Sequence, residues 1–348
     1  MRSAYVMLSA LTLTSPAFSQ SFDCKVAKSP REHAICSDKR LSELDSNVAA
    51  AYKTARIKLS PAAFALVQSD QRQWLRWLDK VCPSTDDFLT SCLTGHYMGR
   101  LQQLKDGIVT TNGITFYPRA AYSFAPDTRK PEDRDPSGPD LNSDEDVWPQ
   151  IDIKPEIKPD RSNPAYAAWN ATFHPDPPAR LLAKSAEYDI TVRDESTYDV
   201  IAANDRLINI SFTDILDMGG AHPQFGLSNH LWWLDKHRNL VASDVFRPAS
   251  GWQQKLIDPT IRKLQADDED GQLNSGYELR QAVASAIPRV STWSVTSEGL
   301  DITFQQYEVG THALGLPDIH FTWDELKPYL EPSLNPSTLP APLPKSNR

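Results

Sequence analysis

Four cysteines, the only ones in the chain, fall within about seventy residues, at Cys24, Cys36, Cys82 and Cys92. The stretch reads FDCKVAKSPREHAIC, a long helical pattern, QRQWLRWLDKVC, a turn, and LTSCLTGHYMGRL. Behind an export-like N-terminus, that number and clustering point to disulfides and away from free thiols or metal ligands. Ser29-Pro30-Arg31-Glu32 fits a helix start, with Ser29 as cap, Pro30 at the first helical position and Glu32 closing a capping box. A two-turn helix ending near Cys36 lets the preceding segment fold back and bring Cys24 alongside. Cys82 ends one helix and Cys92 lies in the second turn of the next, across Pro83-Ser84-Thr85, where Ser84 or Thr85 caps that helix. The spacing favours Cys24–Cys36 and Cys82–Cys92, with two other pairings open.

Between the cysteines, Leu41, Leu44, Val48, Tyr52, Ala55 and Leu59 recur at three- and four-residue steps, a stripe that needs a partner helix. Ser60-Pro61 repeats the start signal, and Phe64, Val67, Trp74, Leu78 and Val81 line the next helix. The last helix shows Phe88, Cys92, Tyr97, Leu101 and Leu104 on one side. The expectation is a small disulfide-stapled all-α bundle with Trp74 and Tyr97 in its core.

These motifs together resemble the LprI-type lysozyme-inhibitor domain. The residues that carry the likeness are FDC, Glu32 to Cys36, Leu44-Asp45, Tyr52, Gln71-Arg72-x-Trp74-Leu75, Asp79, Cys82, Cys92, Tyr97 and Arg100, over residues 22 to about 106. The resemblance implies a periplasmic or cell-surface module, in a family named for a member that inhibits lysozyme.

At 348 residues and 39.0 kDa the chain has room for two ordinary domains. Residues 1–19 read as a cleaved signal peptide: Arg2, an apolar run from Ala4 to Leu13 too short to span a bilayer, and Ala17-Phe18-Ser19. Phe22-Asp23 does not fit a lipid-attachment motif, so no membrane insertion of the mature chain is expected, and it belongs in the periplasm or outside the cell. The net charge of -9 argues against nucleic acid as a partner. An acidic protein meets a basic partner such as a lysozyme faster.

Residues 108–164 read as a proline- and acid-rich linker, with a strand near Phe116 belonging to the following domain. Between Pro126 and Pro164 stand eleven Asp plus Glu against six Lys plus Arg, a net of -5. Such composition buries too little apolar surface to offset its ordering entropy. Beyond it the period changes to that of strands at 187–192, 207–215, 229–235, 290–295, 300–309 and 319–322. Helical patterns fall at 252–264, 278–286 and 323–330. The fold class is therefore multidomain: the helical bundle over 20–107, then an α+β domain with a mostly antiparallel sheet over 165–330. Residues 331–348 read as a disordered proline-rich tail.

Met218-Gly219-Gly220-Ala221-His222-Pro223, Ser243-Asp244-Val245-Phe246, the run from Thr296 to Val309 and TWDELKPYL resemble the extracytoplasmic domain of RsiV-type anti-sigma factors. The same domain occurs in some peptidoglycan deacetylases outside their catalytic part. In RsiV this region binds lysozyme, so the resemblance implies a shared ligand for both parts of the chain. The RsiV membrane segment and sigma-binding helix have no counterpart here.

Gly219, Gly220, His222 and Glu308 stand as candidate contact residues; their structural alternatives are a tight bend for the two glycines after a strand, a side-chain hydrogen bond that fixes the loop for His222, and a pairing to His222 or an arginine for Glu308. No H-E-x-x-H, G-x-S-x-G or P-loop signature occurs. His222, His230 and His237 lie on different segments, so no metal site is expected, and Asp267 to Glu278 fails the calcium-loop pattern because Ala266 and Tyr277 take ligand positions. The expected activity is binding, without cofactor: capture of a lysozyme-like muramidase, with peptidoglycan as the alternative partner and a hydrolase as the weakest reading.

Overall fold

The computed structural model describes residues 21–82, 86–126, 147–157, 164–177, 193–217 and 222–344. The signal-peptide reading, the Ser84/Thr85 cap, the strand at 187–192 and Gly219-Gly220 lie outside these residues.

Helices α1 (Pro30–Ser37), α2 (Lys39–Lys58), α3 (Pro61–Val81) and α4 (Asp86–Asp106) build the bundle. Their starts obey the local code. Ser29 accepts from the Glu32 N–H while Glu32 Oε2 accepts from the Ser29 N–H at 3.0 Å, a capping box with Pro30 in the first turn. Asp38 and Ser60 cap the next two. Both favoured disulfides are formed, Cys24–Cys36 and Cys82–Cys92. Trp74 and Tyr97 are buried and meet edge to face, with centroids 5.0 Å apart. On α4 the buried row is Leu89, Leu93, Tyr97, Arg100 and Leu104. Phe88, expected inside, is among the exposed residues, because the first turns of α4 bury Leu89 and Leu93, one position on from Phe88 and Cys92, while Tyr97 and Leu104 are buried as expected.

Seven strands follow in one sheet, in spatial order β1 to β7: β1 (Val109–Thr111), β2 (Ile114–Pro126), β3 (Val147–Ile157), β4 (Arg193–Ala203), β5 (Leu207–Asp217), β6 (Gln224–Trp233) and β7 (Arg238–Asn239). Every pairing is antiparallel except β3 with β4. Three of these strands occupy the segment read as a linker. Asn112-Gly113, both at positive φ, close the β1–β2 hairpin. Buried Ile151, Ile153 and Ile157 alternate along β3 with Asp152, Lys154 and Glu156. Charge on every second position raised the acid count without removing the apolar face. Helix α5 (Pro164–Thr172), not foreseen, seats Trp169 against Phe116 and Trp232.

The remaining elements are α6 (Ala242–Val245), α7 (Trp252–Asp267), α8 (Gly276–Ala286), α9 (Trp323–Leu326) and a second sheet in order β10-β9-β8 from β8 (Trp293–Val295), β9 (Gly299–Thr303) and β10 (Asp318–Thr322). The fold is thus a disulfide-bonded helical region followed by an α+β region with a mostly antiparallel sheet. Over residues 331–344 the segment expected as a disordered tail is packed. Leu339 is buried, the Glu331 N–H donates to Val245 O and the Leu343 N–H to Ile201 O, both at 2.8 Å. Its prolines exclude helix while its leucines still find apolar surface.

Strand periodicity sorts the large sheet between two cores. Ile208, Ile210, Phe212 and Trp232 join the cluster that contains the helical bundle and α5. Leu207, Leu231 and Trp233 join the cluster built on α6 to α9 and the small sheet. The bundle and most of the seven-stranded sheet therefore share one core.

On the first-core side, His230 stands edge-on to Phe173 and Phe212, at 5.2 and 4.9 Å. Burial, with Lys154 adding to it and Asp214 opposing, holds its pKa below the ordinary value. An unfolded chain takes up this proton below about pH 6.5 while the folded one resists, so stability should fall as pH drops through that point. His230→Gln should flatten that limb in denaturant melts at pH 7 and pH 5.5. An identical pH profile in the variant would refute the assignment.

Candidate functional site

The helical motif residues converge on β2. Asp70, buried on α3, accepts from Arg119 Nε at 2.9 Å and from the Ala120 N–H at 3.0 Å. Arg119 reaches Glu156 at 3.2 Å, and Glu156 accepts the Tyr117 hydroxyl. Burial alone would lower the Arg119 pKa, but Asp70 and Glu156 outweigh it and raise it; burial and Glu156 likewise push the Tyr117 hydroxyl up. Beside this network, Trp77 Nε1 donates to Ser123 O at 2.6 Å. Arg100, 2% exposed, donates to Gln71 Oε1 at 2.7 Å and to the Tyr122 hydroxyl at 3.2 Å. The α3–α4 face that carries Gln71, Trp74 and Arg100 is thus taken up by the chain's own sheet.

A second cluster is open to solvent. The loop after β9 carries Gln305-Gln306-Tyr307-Glu308, and its residues reach back to the start of β6. Gln305 accepts from the Leu227 N–H at 3.0 Å and donates to Leu227 O at 2.6 Å, and Gln306 accepts from the Phe225 N–H at 3.0 Å. Tyr307, 54% exposed, has φ of 62°, a conformation that residues other than glycine rarely adopt. Its hydroxyl lies 3.1 Å from His222 Nε2. The His222 ring lies 3.9 Å from that of His312, centroid to centroid, and Gln306 Nε2 lies 3.2 Å from His312 Nε2. The loop is pinned behind Tyr307: Asn274 N–H donates to Val309 O, Thr311 N–H to Gln272 O, and a side chain at Gly310 would strike Gln272 O.

Of the expected contact residues, His222 sits in this exposed aromatic group. Glu308 faces the other way, accepting from Arg289 at 2.5 Å and from the Gln305 N–H at 2.9 Å, so it braces the loop. Tyr307, within the run from Thr296 to Val309, and His312 could not be joined to His222 from the sequence, because they lie 85 and 90 positions from it. Asp244, in the Ser243-Asp244-Val245-Phe246 motif, proves to be a hub: it accepts from Trp233, Lys236, Arg238 and the Val241 N–H. Burial would raise its pKa, but these donors overcome it and hold the carboxyl well below the usual range.

The described residues offer one metal-like grouping, Cys82, Cys92 and His96, but both sulfurs are in a disulfide. Lys154 donates to Ser196 at 3.2 Å and pairs with Asp152 at 2.8 Å.

Residues 24–104 match the family model described as lysozyme inhibitor LprI, and residues 243–324 match that of a protein of unknown function, DUF3298. The chain carries an LprI domain followed by a DUF3298 domain. The DUF3298 match lies inside the region with the RsiV resemblance and agrees with it. A DUF3298 family member from Bacteroides fragilis aligns over 64% of this chain and 96% of its own, at 13% identity and a TM-score of 0.46. One from Pseudomonas aeruginosa aligns over 63% and 95%, at 15% identity and a TM-score of 0.40. No curated protein matches. The LprI match ends at residue 104, just before the β1–β2 hairpin whose second strand covers α3. The DUF3298 match holds both the Asp244 hub and the Tyr307 loop.

Proposed function

We propose that this chain is an exported binding protein that captures lysozyme-like muramidases and blocks them by occlusion. The observation that carries the reading is the LprI match over residues 24–104, in a region where both disulfides are formed. Disulfides belong to an oxidising compartment, in keeping with residues 1–19 as a removed signal peptide. No described helix is long and apolar enough to cross a membrane. In this reading the LprI domain spans 20–107 and the second unit begins at 108, because β1 and β2 belong to its sheet. Inhibition by occlusion needs no catalytic group, only a protruding contact with a buried anchor.

Since the α3–α4 face is covered, the docking surface is assigned to exposed Tyr307 and His222, backed by half-buried His312. An aromatic side chain held in a strained conformation at a surface is a fitting anchor, because its order is established before contact. The partner's basic charge would speed encounter with this acidic chain.

The test is lysozyme turbidity clearing of a cell-wall suspension with mature protein added. Dose-dependent slowing is expected, weakened by salt, and Tyr307→Ala should lose it while keeping its thermal midpoint. Unchanged clearing at molar excess, with no complex by size exclusion, would sink the proposal. Pelleting with purified sacculi in that case would favour peptidoglycan as the partner.

A further inference from the structure

A cavity of about 180 Å³ opens where the β4–β5 turn, the β6–β7 turn, α6 and the C-terminal segment meet. Its lining includes Arg206, Trp233, Lys236, Ser243, Asp244 and Glu331, with Ser333 at the C-terminal wall. These polar groups divide into those already satisfied and those left over. Asp244 is satisfied: two bonds from Arg238 at 2.7 Å, one from Lys236 at 3.0 Å, one from Trp233 at 3.1 Å and one from the Val241 N–H at 2.9 Å occupy its oxygens. The hydroxyls of Ser243 and Ser333 and the carboxylate of Glu331 have no partner among the described residues. Lys236 spends one of its three N–H donors on Asp244. Arg206 gives Nη1 to Thr338 Oγ1 at 2.6 Å, while its Nε is buried with no acceptor.

The leftover groups are two cations, one carboxylate and two hydroxyls, which fits some ligands and not others. A pyranose needs an open aromatic face, but Trp233 is 1% exposed and carries the Arg206 guanidinium at 5.3 Å and the Lys236 ammonium at 4.8 Å from its ring centre. A phosphate dianion is opposed by Glu331. A ligand with a carboxylate and an ammonium a few ångströms apart uses all of them, and a buried donor without an acceptor is costly until one arrives. We propose that this cavity binds the zwitterionic head of an α-amino acid, its carboxylate on Lys236 and Arg206 and its ammonium on Glu331, with Ser243 and Ser333 completing the contacts. The site is separate from the Tyr307 loop and does not depend on muramidase binding.

The experiment is calorimetry or saturation-transfer NMR on the full chain, with alanine as the probe. Alanine should bind saturably. N-acetylalanine, lacking the ammonium, and alaninamide, lacking the carboxylate, should each bind about tenfold more weakly, the scale of one lost charge-assisted contact. Glu331→Gln should erase the preference over N-acetylalanine, and Lys236→Gln the preference over alaninamide. Ser333→Phe, at an exposed position, should fill the cavity and abolish binding with the fold intact by circular dichroism. Dialanine, whose charges are further apart, should bind more weakly than alanine, and tighter binding would overturn the proposal. No saturable alanine binding, binding that survives Ser333→Phe, or glucose or inorganic phosphate binding as well as alanine would overturn the proposal.

Discussion

Asp70→Ala is expected to lower the unfolding free energy by about 3 kcal/mol, the lower end of the usual cost of breaking a buried ion pair. The variant strips Arg119 of its closest carboxylate and leaves the Ala120 N–H without an acceptor, in a place where the Asp70 side chain is 6% exposed and that of Arg119 19%. Glu156 still holds Arg119, which keeps the loss from being larger. Asp70→Asn, which retains an acceptor for Ala120, should cost about half as much, since the charge is lost but one hydrogen bond is kept. Denaturant unfolding of the three proteins measures both. A midpoint for Asp70→Ala within error of the wild type would show that the α3–β2 junction is not held by this network.

Replacing all four cysteines by serine should remove about 5 kcal/mol, from two loops each contributing roughly 2.5 to 3 kcal/mol by closure entropy. That is a large share of the stability of an ordinary domain. The loss should be uneven. The second core, around Trp252, Trp293 and Phe321, contains no residue of the helical bundle and has no disulfide near it. Hydrogen exchange should therefore show α1 to α4 and β2 opening first while α7, α8 and the small sheet stay protected. Uniform loss of protection along the chain, or none at all, would contradict the division into two cores.

The chain's local chemistry announced α1 to α4, the Ser29 and Ser60 caps and the favoured cysteine pairing, because those features are set within a few residues. It also announced a strand at 207–215, where β5 runs from Leu207 to Asp217. The strands of 109–126 and 147–157 were hidden by averaging: a window of prolines and acids looks unstructured, although Ile151, Ile153 and Ile157 keep a period of two and Asn112-Gly113 is a strong hairpin signal. The seating of α3 against β2 was not legible, since Asp70 and Arg119 are 49 residues apart and each reads alone as a surface charge. The same holds for Tyr307 with His222 and for Glu331 with Lys236, pairs that only the folded chain brings together.

Gln305 and Gln306 have a consequence for assembly. Among the described residues, the first part of β6 has β5 as its one strand neighbour, and the other side would present a row of bare backbone groups, a template for any extended chain. Two side-chain amides occupy those groups as a dummy strand would, with the bonding of a neighbour but no length to propagate. The edge is closed to a second copy without charge or proline being placed on it, and a peptide arriving there must first displace both glutamines.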